Sequence, residues 1–332
     1  MSFPINVYLL AMAASCAATL LAVPAWRWWC LRTGLVDDPG RRKIHHQPVP
    51  LAGGLAVMTG LAVPVLAGWL ALLLRGRGAG ITGGGAAYSA FLLRYGFEHR
   101  AGELAGLLAG AVGVLLIGWL DDKHELRAGP KFAGQFLAAW VVAASGVRIT
   151  LFVPSPWFHY AITILWIVTL INAFNFLDNM NGLCGGLGAI AAWCFALRAA
   201  ASGQYLVALI AFLAAGALAG FLPWNFPRGR VFLGDAGSHL IGYLMAVLAI
   251  LPHFYTARHP HRSLVLIPLA VLAVPLGDLV WVVGIRWKAG KPFYVGDTNH
   301  LSHRLVRRGL SQTTAVLLIW LLAAICGLAC LA

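Results

Sequence analysis

Uncharged apolar runs long enough to cross a bilayer recur from one end of this 332-residue chain to the other. No other feature constrains its fold as strongly. In hydrocarbon every backbone N–H and C=O must find a partner within the protein, which leaves helices or closed barrels. A spanning helix needs about 20 apolar residues, with about 17 as the short limit. Ten runs suit such helices, centred on Val7 to Trp26, Leu51 to Leu74, Leu104 to Leu120, Phe132 to Val147, Trp157 to Phe174, Leu183 to Leu197, Tyr205 to Phe221, Ala236 to Leu251, Ser263 to Val283 and Thr314 to Leu331. The expected fold class is an all-α polytopic membrane protein with about ten transmembrane helices, forming one integral-membrane domain over residues 1–332. Only 11% of residues are charged, against about 25% in soluble domains, so soluble, disordered and coiled-coil chains are excluded. No Lys or Arg precedes the first run, which is also too long for a secretory signal and is expected to persist in the mature protein.

The formal net charge of +13 does not point to nucleic acid, because no basic run is interleaved with aromatics. Membrane topology accounts for it instead. With the N-terminus outside, 16 of the 24 Lys and Arg residues fall on segments facing the cytoplasm, so both termini are expected outside by the positive-inside rule. Acidic residues contribute little to that rule, yet nine of the eleven fall on or beside the same face: Asp37, Asp38, Asp121, Asp122, Glu125, Asp178, Asp235, Asp278 and Asp297. A polar site on the cytoplasmic side supplies the cause. The six Cys lie in or beside apolar runs without a C-x-x-C pair and read as small buried hydrophobes.

Four loops carry candidate chemistry. Asp121 and Asp122 close the third run at an expected helix C-terminus, where the macrodipole disfavours negative charge. Paired carboxylates raise one another's proton affinity, which suits a metal ligand or general base; a solvated loop edge bordered by Lys123 is the plain alternative. After the fifth run, Asn172, Asn175, Asp178 and Asn181 recur every three residues and can line one side of a helix as it leaves the membrane, or else bond to neighbouring helices. Asp235 precedes the eighth run, so its side chain can cap that helix, whose first N–H groups also suit a phosphate. Near it, Phe232 can stack on a base. The last cytoplasmic loop holds Asp278, Asp297, His300, Ser302, His303 and Arg304 among Lys and Arg residues. Two His without a Cys or an H-E-x-x-H pattern do not make a zinc site; they suit phosphate oxygens, or a basic patch for anionic lipid.

In order along nearly the whole chain, Val36-Asp37-Asp38-Pro39-Gly40 with Lys43 and His45, Pro48 to Gly54, Asp121-Asp122 with Lys131 and Gln135, Asn172 to Gly182, Asn225 with Phe232 to Ser238, and Pro275, Asp278, Asp297, His300, His303 and Arg304 resemble the blocks of the polyprenyl-phosphate N-acetylhexosamine-1-phosphate transferases, glycosyltransferase family 4. Pro48 to Gly54 is more similar to the branch using UDP-N-acetylglucosamine or related donors than to the branch making the peptidoglycan lipid precursor from UDP-MurNAc-pentapeptide.

The resemblance implies transfer of a sugar 1-phosphate, N-acetylglucosamine 1-phosphate above all, from a UDP-sugar to undecaprenyl phosphate with release of UMP. This is the first membrane step of cell-envelope polysaccharide synthesis, such as lipopolysaccharide O-antigen. It also implies the bacterial inner membrane, a cytoplasmic active site, and Mg²⁺, or Mn²⁺ in its place, at Asp235 and Asp122. The catalytic residues implied are Asp121, Asp122, Asp235, His300 and His303. The implied substrate-binding residues are Lys43, Lys131, Asn172, Asn175, Asp178, Asn181, Phe232 and Arg304. Among these, Asn175 and Asp178 would hold the nucleotide, Phe232 would face the uracil, and the His loop would bind the diphosphate. The implied partners are the two substrates and the bilayer, without nucleic acid; a homodimer is compatible. Two positions depart from the family pattern: Asn181 replaces a carboxylate, and Ser302 an imidazole. They motivate one alternative, a catalytically impaired member. The other alternative is a secondary transporter, which would place ionisable groups near the bilayer midplane and show internal repeats; neither is seen here.

Overall fold

A computed structural model describes residues 3–38, 47–74, 94–96, 98–252, 254, 262–292, 294 and 298–329. Lys43, His45, Asp297 and most of the segment from Arg75 to Gly102 lie outside the described residues. The described chain is almost wholly helical. In order come α1 (Ile5–Thr33), α2 (Gly53–Leu74), α3 (Ala101–His124), α4 (Ala128–Ala144), α5 (Pro156–Leu177), α6 (Leu183–Ala201), α7 (Tyr205–Asn225), α8 (Gly234–Ile250), α9 (Ile267–Val271), α10 (Ala273–Lys288), α11 (Leu301–Arg307) and α12 (Gln312–Leu328).

Each of the ten apolar runs has its centre on described helix, but the helices are unequal in length. Six of the described helices (α1, α2, α3, α5, α6 and α7) are long and apolar enough to cross a membrane, and α9–α10 raises this to seven if the bent pair is one span. The expected ninth helix is broken, its halves meeting at 73°. The ring of Pro275 accounts for the break, because it collides with a carbonyl four residues back and donates no N–H. The apolar helices α8 and α12 have 17 residues each.

Helix α8 is the hub. It packs against α2, α3, α5 and α6, and from Ala236 to Ala249 every residue is buried. An apolar helix buried all round reads as continuous hydrophobicity rather than as an amphipathic stripe. Two glycines let its neighbours approach: a Cβ on Gly118 of α3 would overlap the backbone of Asp235 and Ala236, and one on Gly242 of α8 would overlap the backbone of Leu170 and Ile171 in α5. These contacts set α3 and α5 close enough for polar side chains to reach the start of α8.

Two short strands complete the frame. β1 (Val36–Asp37) pairs antiparallel with β2 (Val49–Pro50), Val36 facing Pro50 and Asp37 facing Val49. The ribbon fastens the loop before α8, since Phe232 N–H donates to the Pro50 carbonyl at 3.0 Å and Gly53 N–H to the Phe232 carbonyl at 2.9 Å.

Candidate active site

The last turn of α3 meets the first turn of α8, and the charge pattern at this junction explains the Asp pair. Helix α3 continues through Asp121 and Asp122 to His124, so both carboxylates do sit at a C-terminus that disfavours them. The start of α8 compensates. Asp122 accepts the N–H of Asp235 at 2.7 Å through Oδ1 and that of Ala236 at 3.0 Å through Oδ2. The cap of α8 thus comes from another helix. This corrects the expectation that Asp235 caps its own helix, and that the first N–H groups of α8 are open to a phosphate. A cap supplied from α3 frees the Asp235 side chain.

Asp235 instead faces α4 and α5. Its Oδ2 accepts from Lys131 Nζ at 2.8 Å, and its Oδ1 from Asn175 Nδ2 at 2.6 Å. Asn175 also donates to Ser238 Oγ at 3.0 Å. Lys131 Nζ reaches Asp121 Oδ2 at 2.6 Å, while Asp121 Oδ1 accepts the Leu126 N–H at 2.8 Å. One ammonium therefore bridges carboxylates from two helices.

Asp121, Asp122, Asn175 and Asp235 edge a cavity of about 930 Å³, whose described lining does not include Lys131. Asp37, Asp38, Asp121, Asp122, Glu125, Asp178 and Asp235 line it, together with Asn175, Asn179, Asn181, Asn225, Arg228, Phe232, Thr298 and His303. Seven of the nine acids expected on one face thus share one cavity. Glu103 begins α3, about 27 Å from Asp121 at 1.5 Å per residue, and pairs with Arg100 at 3.5 Å.

Asp178, just past the end of α5, keeps part of its surface open to the cavity while protein surrounds the rest. Burial first, and then the charges of Asp235, Asp122 and Asp37, push its carboxyl up to about 8. Folded protein therefore holds a proton that the unfolded chain, with a carboxyl near 3.9, has released. In chelator-treated protein the melting temperature should fall as pH rises from about 5 to 8 and level off above, and Asp178→Asn should flatten that slope. An unchanged slope in the variant would contradict this placement of Asp178.

The remaining expected site residues divide by position. Asn181 lines the cavity, and its amide donates to the Pro227 carbonyl at 3.1 Å, a bond that a carboxylate cannot donate. Asn225, nearly buried, accepts the Gly182 N–H at 2.6 Å and donates to the Val231 carbonyl at 2.9 Å, tying two cavity loops together. His303 is on the cavity wall, but His300 is buried behind it, its Nδ1 2.7 Å from Asp278 Oδ2. Asp278 Oδ1 accepts the Leu301 N–H at 2.7 Å, so one buried carboxylate anchors the loop and begins α11. Ser302 is fully buried and donates to Asn179 Oδ1 at 2.7 Å. Arg304 lies over the Trp281 ring at 4.5 Å rather than on the cavity wall. Asn172 is also off the wall: it lies one turn deeper, bonded to Gln135 at 2.7 Å.

Sequence reasoning counted Asp37, Asp38 and Glu125 on the acidic face but gave them no role in the site. It also passed over His239, four residues after Asp235 and so one turn along the same side of α8.

The glycosyl transferase family 4 model matches residues 104–253, the stretch from α3 through α8 that holds five of the seven acids lining the cavity. The chain is 34% identical over 330 residues to the decaprenyl-phosphate N-acetylglucosaminephosphotransferase of Mycobacterium tuberculosis, covering 91% of this chain and 76% of that one. It is 29% identical over 320 residues to a Bacillus subtilis protein named as a probable undecaprenyl-phosphate N-acetylglucosaminyl 1-phosphate transferase, covering 94% and 81%. It is 27% identical over 315 residues to the Escherichia coli undecaprenyl-phosphate alpha-N-acetylglucosaminyl 1-phosphate transferase, covering 89% and 75%.

Proposed function

The chain belongs to glycosyl transferase family 4, and on that premise we propose that it transfers N-acetylglucosamine 1-phosphate from UDP-N-acetylglucosamine to a polyprenyl phosphate. An oxygen of the lipid phosphate attacks the β-phosphorus of the donor. A P–O bond forms there, the bond between the β-phosphorus and the bridging oxygen breaks, and UMP leaves with that oxygen. Polyprenyl diphosphate N-acetylglucosamine is the product.

The observation that carries this reading is the concentration of acid. Among the described residues, seven acidic side chains and one arginine line the cavity, and a divalent cation would join a diphosphate and a lipid phosphate to so acidic a wall. The donor set suits Mg²⁺, which takes oxygen ligands and commonly only one or two protein carboxylates beside phosphate and water. Among the described residues, no three His, Cys, Asp or Glu side chains converge to hold an ion unaided, so phosphate oxygens and water would have to complete the ligand set. Asp235 and Asp122 would hold it, each through the lone pairs left by its two hydrogen bonds. Bound there, Mg²⁺ supplies neutralisation of charge on the phosphoryl oxygens, the main need of phosphoryl transfer along with positioning.

The chain's own groups do the rest. Lys131 offers a cation where the phosphates meet, and Asp121 keeps it there. Asn175 and Asp178 hold the nucleotide and the Phe232 ring faces the uracil. His303 and Arg228 reach the diphosphate from the opposite wall, while Asp278 fixes His300 behind them. Asn181 and Ser302, the two departures from the family pattern, each donate a structural hydrogen bond, which favours an active enzyme over an impaired one. A transporter would need its ionisable groups near mid-membrane, whereas Asp121 and Asp122 lie in the last turn of α3.

In the same reading the chain crosses a bacterial inner membrane ten times, with both termini outside and the cavity on the cytoplasmic side. Helices α4, α8 and α12, about 25 Å long at 1.5 Å per residue, suffice where the bilayer thins or a flank snorkels. The purified protein tests the proposal against a panel of UDP-sugars with undecaprenyl phosphate. UMP release and a lipid-linked N-acetylglucosamine are expected. No release with any UDP-N-acetylhexosamine would refute it.

A further inference from the structure

Beneath the cavity lies a second polar layer that the proposed reaction does not use. In α4, Lys131 and Gln135 share a face, as do Asp235 and His239 in α8. The upper pair joins at 2.8 Å, and the lower pair at 3.4 Å between Gln135 Nε2 and His239 Nε2. Asn172 of α5 completes the lower layer as Asn175 completes the upper one. Gln135 and His239 are fully buried.

The direction of the lower chain can be read from one backbone carbonyl. Asn172 Nδ2 donates to the Val168 carbonyl at 2.8 Å and to Gln135 Oε1 at 2.7 Å. This turns the Gln135 oxygen toward Asn172 and its amide N–H toward His239. The imidazole Nε2 must then be the bare acceptor, leaving the ring proton on Nδ1. Among the described residues, Nδ1 has no hydrogen-bond partner. A buried donor left unmade costs stability, and an apolar side chain of similar size would fill the space without that cost.

We infer that His239 is a positioning residue for sugar-phosphate transfer: by accepting from Gln135 it fixes the register of α4 against α8, and thereby keeps Lys131 Nζ between Asp121 and Asp235. The inference rests on the proposed transferase reading, and its consequence for Lys131 holds whatever the cavity binds. The geometry of the upper layer depends on it because Lys131 and Gln135 move as one helical turn. Lys131 meets both carboxylates within 2.8 Å, so a small slide of α4 would break one of the two.

The test uses the full-length protein with three variants. His239→Leu should lower kcat by about 10- to 100-fold, the usual effect of removing a residue that orients a ligand-binding group, with KM for UDP-N-acetylglucosamine within about twofold of the parent. His239→Gln, whose side-chain oxygen can accept from Gln135, should recover most of kcat, and Gln135→Leu with His239→Leu should be no worse than His239→Leu alone. Lys131 labelling by an amine reagent, followed by mass spectrometry, should speed up in His239→Leu and not in His239→Gln. Parental kcat and labelling in His239→Leu would overturn the inference, as would equal losses of kcat in the Leu and Gln variants. If the parent itself transfers nothing, the transferase reading falls, and Lys131 labelling alone then decides whether His239 positions it.

Discussion

Asp235→Asn should abolish transfer, lowering kcat by at least about 100-fold, the scale of losing one group that stabilises charge in a transition state. Asp235 meets both a cation from α4 and an amide from α5. The amide of Asn carries no charge, and if its oxygen keeps the Asn175 bond its NH₂ faces the Lys131 ammonium, donor against donor. Folding should survive. Asp122 caps α8 through backbone N–H groups, which the substitution leaves in place. Membrane insertion and yield should therefore match the parent while UMP release disappears. Asp121→Asn and Asp122→Asn should also lose transfer, and full activity in all three variants would remove the site.

Lys131→Met should have the largest effect on stability. Its ammonium joins Asp121 and Asp235 across 2.6 and 2.8 Å, and its side chain is only 18% exposed. Taking away one partner of a largely buried ion pair strands the others, at a cost of about 3 kcal/mol. Here two carboxylates are stranded side by side. The variant should melt well below the parent, lose transfer, and regain more stability than the parent does on addition of Mg²⁺, because a divalent ion replaces the missing positive charge. A parental melting temperature for Lys131→Met without added metal would show that the bridge does not hold the helices.

Much of this site was legible before the fold was known, for definite reasons. Charge is costly in a membrane protein, so each Asp stands out against the apolar background, and the preference of nine acids for one face marked a shared cavity. The three-residue spacing of Asn172, Asn175, Asp178 and Asn181 foretold a helix face; α5 provides it for Asn172 and Asn175 but ends at Leu177, so Asp178 and Asn181 line the cavity from the turn beyond. Spacing could not say how deep each residue sits: Asn175 reaches the cavity while Asn172 lies a turn below. The partnership of Asp122 with the start of α8 spans 113 residues; local signals assigned the cap to Asp235, the nearest acid in sequence. That partnership depends on Gly118, whose missing Cβ lets α3 touch α8, a contact between helices that no single-helix pattern contains. Likewise Ser302 and Asn181 look like lost catalytic groups in a motif, and only their partners Asn179 and the Pro227 carbonyl show what they do. The ninth apolar run has the length of a span, but its 73° bend follows from where Pro275 sits and not from hydropathy.

The claim at the centre of this account is that a cavity walled by carboxylates receives phosphates through a divalent cation. It is tested most directly by following UMP release from UDP-N-acetylglucosamine, with polyprenyl phosphate present, as Mg²⁺ is titrated into EDTA-treated protein. The expected result is no release without the ion, and recovery that saturates with Mg²⁺ in the parent but not in Asp235→Asn. Undiminished release in excess EDTA would contradict it.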